Sequence, residues 1–270
     1  TSSDVSLTNL VNSSGVVATD VTGVGTARNN LAASSYGGDK AIFGYGRTST
    51  QVSMTNLVNN SGVVATDVSG VGTARQSLAA ASYGGDKAIF GYGTDSSLTN
   101  LVNNNGVVGS DVTGVGTARN DLAAASFGGD KAIFGYGYYY SGGVVTYSLT
   151  NLVSNTGVVA ADVTGVGTAR YLLAAAGYGG DKAIFGFGTT GSVTGLTNLV
   201  SNTGVVASNV SAVGTARKGL AAAGYGGDKA IFGYGTTGSL TAITNLVNNS
   251  GVVASDVSGV GTAREKPAAA

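Results

Sequence analysis

Apolar and polar positions along the chain fall into short runs that recur. In residues 73–116 a small apolar run at 78–83 is followed by Gly84-Gly85-Asp86 and then by an Ile- and aromatic-rich run at 87–92. A polar stretch leads into alternation over 97–102, then Asn103-Asn104-Asn105-Gly106, then alternation again over 107–112. Glycine-containing turns between β-branched and aromatic runs are hairpin signals, so the stretch predicts four short antiparallel strands. Gly, Asn and β-branched residues recur too often for an uninterrupted helix of about 12 residues.

The same pattern returns along the whole chain. Asp-Lys-Ala-Ile-Phe-Gly-Tyr-Gly begins at Asp39, Asp86, Asp130 and Asp228, with a Phe-for-Tyr variant at Asp181, so the step is 44 to 51 residues. Gly-Thr-Ala-Arg ends at Arg28, Arg75, Arg119, Arg170, Arg217 and Arg264, and Thr-Asn-Leu-Val also occurs six times. A period of this size with four strands per unit predicts an all-β chain and, within that class, a β-propeller of four-stranded antiparallel blades. The repeats run 26–72, 73–116, 117–167, 168–214 and 215–261, flanked by a half blade at 1–25 and a partial repeat at 262–270, all in one domain. Third and fourth strands occur six times and first and second strands five times in full. The reading favoured is about six blade positions, with the two termini sharing an incomplete closing blade. The alternatives are a five-bladed ring with a spare N-terminal hairpin, or part of a longer array. Copies differ in length mainly at 47–52, 94–96, 138–147, 189–195 and 236–242, between second and third strands, which should place the variable loops on one face.

Composition narrows the function. Hydrophobic residues make up 43% and charged residues 10%, which argues against disorder. The net charge of zero gives no electrostatic basis for binding nucleic acid. No apolar run approaches the roughly 18 residues of a membrane helix, so no membrane insertion is expected. Cys and His are both absent, which removes disulfides, thiolate nucleophiles and the commonest general base and metal ligand. Thr1 opens the chain with neither an initiator Met nor a signal peptide, which fits a processed product or an excised fragment.

The recurring charges are the Arg of Gly-Thr-Ala-Arg, an Asp eight residues before it (Asp20, Asp67, Asp111, Asp162, Asp256; Asn209 in the fifth copy), and the Asp-Lys of the first turn. The expectation is structural: Arg pairs with Asp or with loop carbonyls and fixes the connection between blades. A ring of arginines at a channel mouth would instead bind anions, but the accompanying Asp argues against it. No copy has two acidic residues at close alternate spacing, so neither a calcium site nor another metal is expected. With no His or Cys, the many Ser and Thr lack a triad, and the Asp residues are spaced around the repeat rather than paired as in glycosidases. The expectation is a non-enzyme with no cofactor.

One insertion breaks the repeat. After Tyr136-Gly137 the third full copy continues with Tyr138, Tyr139, Tyr140, Ser141, Gly142 and Gly143 and then reaches Tyr147. Tyr beside Ser and Gly is the composition of adaptable binding surfaces, so Tyr138, Tyr139, Tyr140 and Tyr147 are the candidate ligand-binding residues. Tyr171 and Lys218, in the variable pair after the Arg, are secondary candidates.

The set Arg75, Ala79-Ala80-Ala81, Gly84-Gly85, Ala88-Ile89-Phe90 and Gly91-Tyr92-Gly93 resembles the kelch repeat. It departs from that pattern where Tyr92 separates the usually paired glycines and where the fourth strand has no Trp. The aromatic-glycine ending also resembles the regulator-of-chromosome-condensation repeat, a second propeller family. Near-identical copies are similar to proteins of bacteriophage virions. Together these resemblances imply a recognition module that binds protein or glycan through propeller loops on a virion or at an extracellular or cell surface. The alternative is a structural or decoration component of an assembly such as a phage particle, with self-assembly through the incomplete blade.

Overall fold

The computed structural model describes residues 4–211 and 213–270. Among these there are strands and turns and no helix. The first sheet holds β1 (Ala32–Tyr36), β2 (Lys40–Gly44) and β3 (Thr55–Val58), and the second holds β4 (Ala79–Tyr83), β5 (Lys87–Gly91) and β6 (Thr99–Val102). The third holds β7 (Ala123–Phe127) and β8 (Lys131–Gly135). A separate hairpin of β9 (Tyr138–Tyr140) and β10 (Val144–Thr146) then precedes its last strand, β11 (Thr150–Val153). The fourth holds β12 (Ala174–Tyr178), β13 (Lys182–Gly186) and β14 (Thr197–Val200), and the fifth β15 (Ala221–Tyr225), β16 (Lys229–Gly233) and β17 (Thr244–Val247). Every pairing is antiparallel, with one register throughout: Ala88, Ile89, Phe90 and Gly91 oppose Val102, Leu101, Asn100 and Thr99.

The first turn of each unit requires glycine. Gly84 and Gly85 have φ of +61° and +80°, where a Cβ is disfavoured. In the second turn the Asn103 side chain accepts from the backbone N–H groups of Asn105 and Val107, an Asx turn. The predicted fourth strand is present only as an extended segment that meets the third at two bridges, as in Thr99↔Val112 and Val102↔Val108. Asn100 explains the gap in the ladder, because its side-chain Nδ2 donates to Gly109 O and to Asp111 Oδ1 between those bridges.

The core lies between consecutive sheets. Ala32, Tyr36, Ile42 and Tyr45 of the first unit pack with Leu78, Ala88, Phe90 and Val102 of the second, and equivalent clusters join the second to the third, the third to the fourth and the fourth to the fifth. Alanine-rich first strands run beside one another in succession, their small side chains permitting close approach. Tyr92 takes a φ of +66°, unusual for a residue with a large side chain, while its ring is fully buried 5.1 Å from that of Phe134 and its hydroxyl donates to Val115 O.

The bonds that organise each unit also join the two ends of the chain. Within 73–116, Thr73 donates from N and Oγ1 to Asp111 at 3.0 and 2.6 Å. Thr262 donates to Asp20 in the same way, at 3.0 and 2.5 Å. Arg264 also bonds Asn9, as Arg75 bonds Asn100. The hairpin of bridges Thr8↔Val21 and Val11↔Val17 thus stands to the C-terminal segment as the outer strands of other units stand to their own Gly-Thr-Ala-Arg.

Candidate binding face

The Arg of Gly-Thr-Ala-Arg turns inward, whereas the turn Asp and Lys stay in solvent. Arg75 is fully buried; it donates to Tyr92 O, Thr73 O and Asn100 Oδ1, comes within 3.4 Å of Asp111, and lies 4.7 Å over the Tyr45 ring of the preceding unit. The same stacking recurs with Arg119 on Tyr92, Arg170 on Tyr136, Arg217 on Phe187 and Arg264 on Tyr234. The Asp that each Arg meets is not the one eight residues before it. Arg28 meets Asp67 at 3.7 Å, Arg75 meets Asp111 and Arg264 meets Asp20. Asp162 and Asp256 accept from Thr117 and Thr215 in the same manner. Burial of the Asp111 carboxyl works to raise its pKa, but donated bonds from Thr73 and Asn100 outweigh this and hold it below the usual range. The Arg75 guanidinium, fully buried against these partners, presents no donor to an external anion.

The residues that differ between copies collect elsewhere. Asn30, Ser77, Asp121, Leu172, Gly219 and Lys266 occupy the second position after each Arg, all with positive φ between 46° and 62°. Their backbones form a chain of bonds: Ser77 N to Asn30 O, Asp121 N to Ser77 O, Leu172 N to Asp121 O, Gly219 N to Leu172 O and Lys266 N to Gly219 O. These residues and the starts of the first strands line a cavity of about 120 Å³. Desolvation pushes the Asp121 carboxyl above its ordinary value, with Lys266 across the cavity opposing the shift.

The tyrosine insertion stands beside this rim. Tyr138, Tyr139 and Tyr140 form β9 and pair with Thr146, Val145 and Val144 of β10. The backbone of Tyr138 exchanges two hydrogen bonds with Asn120, next to Asp121, and its ring lies 4.9 Å from that of Tyr171. Asn120 and Asp95 bond each other through backbone and side chain. Burial, with Asp121 and Asp95 adding negative potential, raises the Tyr138 hydroxyl pKa. Tyr140, Val144 and Val145 are exposed at the tip, whereas Tyr147 is half-buried at the base, its N–H donating to Gly137 O.

Lys218 pairs through its backbone with Thr236 as Tyr171 does with Thr189, so both secondary candidates lie on the same face as the hairpin. The rim residues Asp121 and Lys266, and Asp95 beside them, escaped the sequence reading. The signal for Asp121 and Lys266 was the variable pair after each Arg, visible at Tyr171 and Lys218 but not extended to every copy, and that for Asp95 was the variable loop at 94–96. The arrangement offers aromatic and apolar contact surface edged by carboxylates and amides. Among the described residues no three acidic side chains come together as a metal site. No protein-family model matches the chain, and no curated protein does.

Proposed function

We propose that the chain is a six-position β-propeller whose ends share one incomplete blade, and that it acts as a non-enzymatic recognition module. Support for the ring comes from the bond series Asn30–Ser77–Asp121–Leu172–Gly219–Lys266 and from Thr262 meeting Asp20 as Thr73 meets Asp111. The observation that carries the binding reading is the placement of copy-specific residues on one face, with the β9–β10 hairpin rising from it. Val144, Val145 and Tyr140 give that tip an apolar surface with few groups for sugar hydroxyls, so a protein surface fits better than a glycan. The immobilised chain is to be challenged with a protein panel and a glycan panel. The variant Tyr140→Ser, Val144→Ser, Val145→Ser should lose its ligand at unchanged Tm; retained binding would remove the hairpin from the site.

A structural role in an assembly has one observation in its favour. Val16, Val63, Val107, Val158, Val205 and Val252, one on the outer segment of each unit, are 59–66% exposed, a periodic apolar girdle suited to packing against neighbours. Sedimentation velocity separates the readings, since a chain that stays monomeric at high concentration is not held together through this girdle.

A further inference from the structure

The base of the tyrosine hairpin differs in chemistry from its apolar tip. Side chains of three consecutive units are held together there by bonds within the protein. Gln76 N donates to Thr94 Oγ1. The next residue, Asp95, accepts on Oδ1 from Asn120 Nδ2 at 2.6 Å and donates from N to Asn120 Oδ1 at 3.0 Å. Asn120 holds Tyr138 through two backbone bonds, and Asp121 follows it, its own N donating to Ser77 O. The Tyr171 ring of the next unit closes on Tyr138, centroids 4.9 Å apart and planes inclined at 60°. We infer that this arc of Gln76, Asp95, Asn120, Asp121, Tyr138 and Tyr171 binds a guanidinium group, the side chain of an arginine on a partner protein. The inference rests on the recognition reading only for the source of that arginine.

Charge along the arc is unbalanced. The turn Asp residues each meet the neighbouring Lys, and Asp20, Asp67 and Asp111 each meet an Arg. Asp95 and Asp121 form no ion pair among the described residues, and Lys266 acts on Asp121 only from across the cavity. Burial comes first in raising the Tyr138 hydroxyl pKa and the negative potentials of Asp121 and Asp95 come next, so both carboxylates act on that side chain. Gln76 Oε1 is a further acceptor, buried and without a donor among the described residues, and such groups are costly until paired. The half-buried rings of Tyr138 and Tyr171 add the quadrupole that attracts a cation.

The interior of the protein shows which cation suits such groups. The Arg75 guanidinium lies 4.7 Å over the Tyr45 ring, meets the Asp111 carboxylate and donates to Asn100 Oδ1. Tyrosine ring, carboxylate and amide oxygen are the same three partners that the arc presents. A planar guanidinium stacks on a ring and forks to a carboxylate at once, whereas an ammonium is a strongly hydrated point charge. The face also works against a cation elsewhere. Arg47 stands at the position of Tyr138 in the first unit, and Lys218 at that of Asn120 in the fifth. Like charge at those units confines the site to this arc.

The test is titration of acetyl-Gly-Arg-Gly-amide into the ¹⁵N-labelled full chain, followed by amide chemical shifts. Saturable shifts are expected at Asn120, Asp121, Tyr138 and Tyr171. The same peptide with citrulline, the neutral isostere of arginine, should bind at least about tenfold more weakly. The double variant Asp95→Asn, Asp121→Asn keeps the shape and removes the charge, and should lose at least about tenfold in affinity for the arginine peptide. Asp95→Asn alone, at an exposed position, is the second variant and should shift affinity in the same direction at unchanged Tm. A tripeptide at the arc is too small to engage Tyr140, Val144 and Val145 as well, so its binding stands or falls independently of the reading for the tip. Absence of saturable shifts at those amides, equal affinity for the citrulline peptide or for one with lysine, or unchanged affinity in both Asn variants would each overturn the proposal.

Discussion

The Phe134 ring lies over Gly91 so closely that a Cβ there would meet its Cζ at 2.7 Å. The contact repeats at Gly44, Gly135 and Gly186, and it accounts for the glycine after Ala-Ile-Phe in four of the five copies. A methyl group must displace a ring that is itself fully buried, and overpacking of this kind costs about 1–3 kcal/mol. Gly91→Ala should therefore lower stability by that amount in denaturant melts. Gly233→Ala, where a Cβ would meet no described atom nearer than Thr244 Cγ2 at 3.4 Å, should stay within about 0.5 kcal/mol of the parent. Equal losses at both sites would show that the ring contact is not the reason for the glycine.

Arg75 and Lys87 each lie beside an Asp, at 3.4 and 3.0 Å, yet they should behave differently. The Arg75 guanidinium is buried, stacks on Tyr45 and bonds two carbonyls and Asn100. Truncation strands those acceptors, and Arg75→Ala should cost about 3–5 kcal/mol. Lys would keep the charge but not the planar fork, so Arg75→Lys should recover only part. The Lys87–Asp86 pair is solvated, and Lys87→Ala should leave the urea midpoint unchanged.

These contrasts bear on what could be read from the chain itself. Period and the first three strands of each unit follow from local signals such as Gly84-Gly85-Asp86 and Ala88-Ile89-Phe90, whose structure depends on neighbours in sequence, whereas the predicted fourth strand is reduced to two bridges. The partner of Arg75 was not legible. The nearest recurrent Asp is eight residues away, but the chain entering a sheet is gripped by that sheet's own outer segment, which places Asp111 36 residues on. The rim was obscured for a related reason. Asn30, Ser77, Asp121, Leu172, Gly219 and Lys266 share no side-chain chemistry and are united only by a backbone conformation.

Acid should weaken the fold through the outer Asp residues. Asp20 and Asp67 are held below the ordinary value of 3.8 chiefly by hydrogen bonds from Thr262 and Thr26. A carboxyl with a lower pKa folded than unfolded binds fewer protons in the native state, so stability rises with pH through that window. Its contribution is complete above the unfolded value, near pH 4, and is lost as pH falls through the folded value. Urea melts should thus be flat towards neutrality and decline below about pH 4. Asn209 holds the equivalent position without a charge, accepting from Thr168 N and donating to Thr168 Oγ1. Asn209→Asp should raise stability at neutral pH and steepen the acid decline; a gain independent of pH would mean that the carboxylate is not the source.

Asp20 and Asp111 make the same bonds with different consequences, because the Thr262–Asp20 contact spans 242 residues and the Thr73–Asp111 contact 38. Local bonds re-form readily, whereas a contact between chain ends closes a much longer loop, at an entropic cost that grows with the logarithm of its length. Asp20→Ala removes the acceptor for Thr262 N and Oγ1 and a partner of Asn9 Nδ2. It should release the termini while leaving the central sheets intact, a local opening rather than a global one. Amide exchange should accelerate by about tenfold or more at residues 8, 21 and 262 if about 1.4 kcal/mol of closure is lost. Protection in β5, β8 and β13 should be unchanged. Asp111→Ala should instead raise exchange in its own sheet, β4–β6. Uniform acceleration across every sheet in Asp20→Ala would mean that the end-to-end contact is a condition of the whole fold.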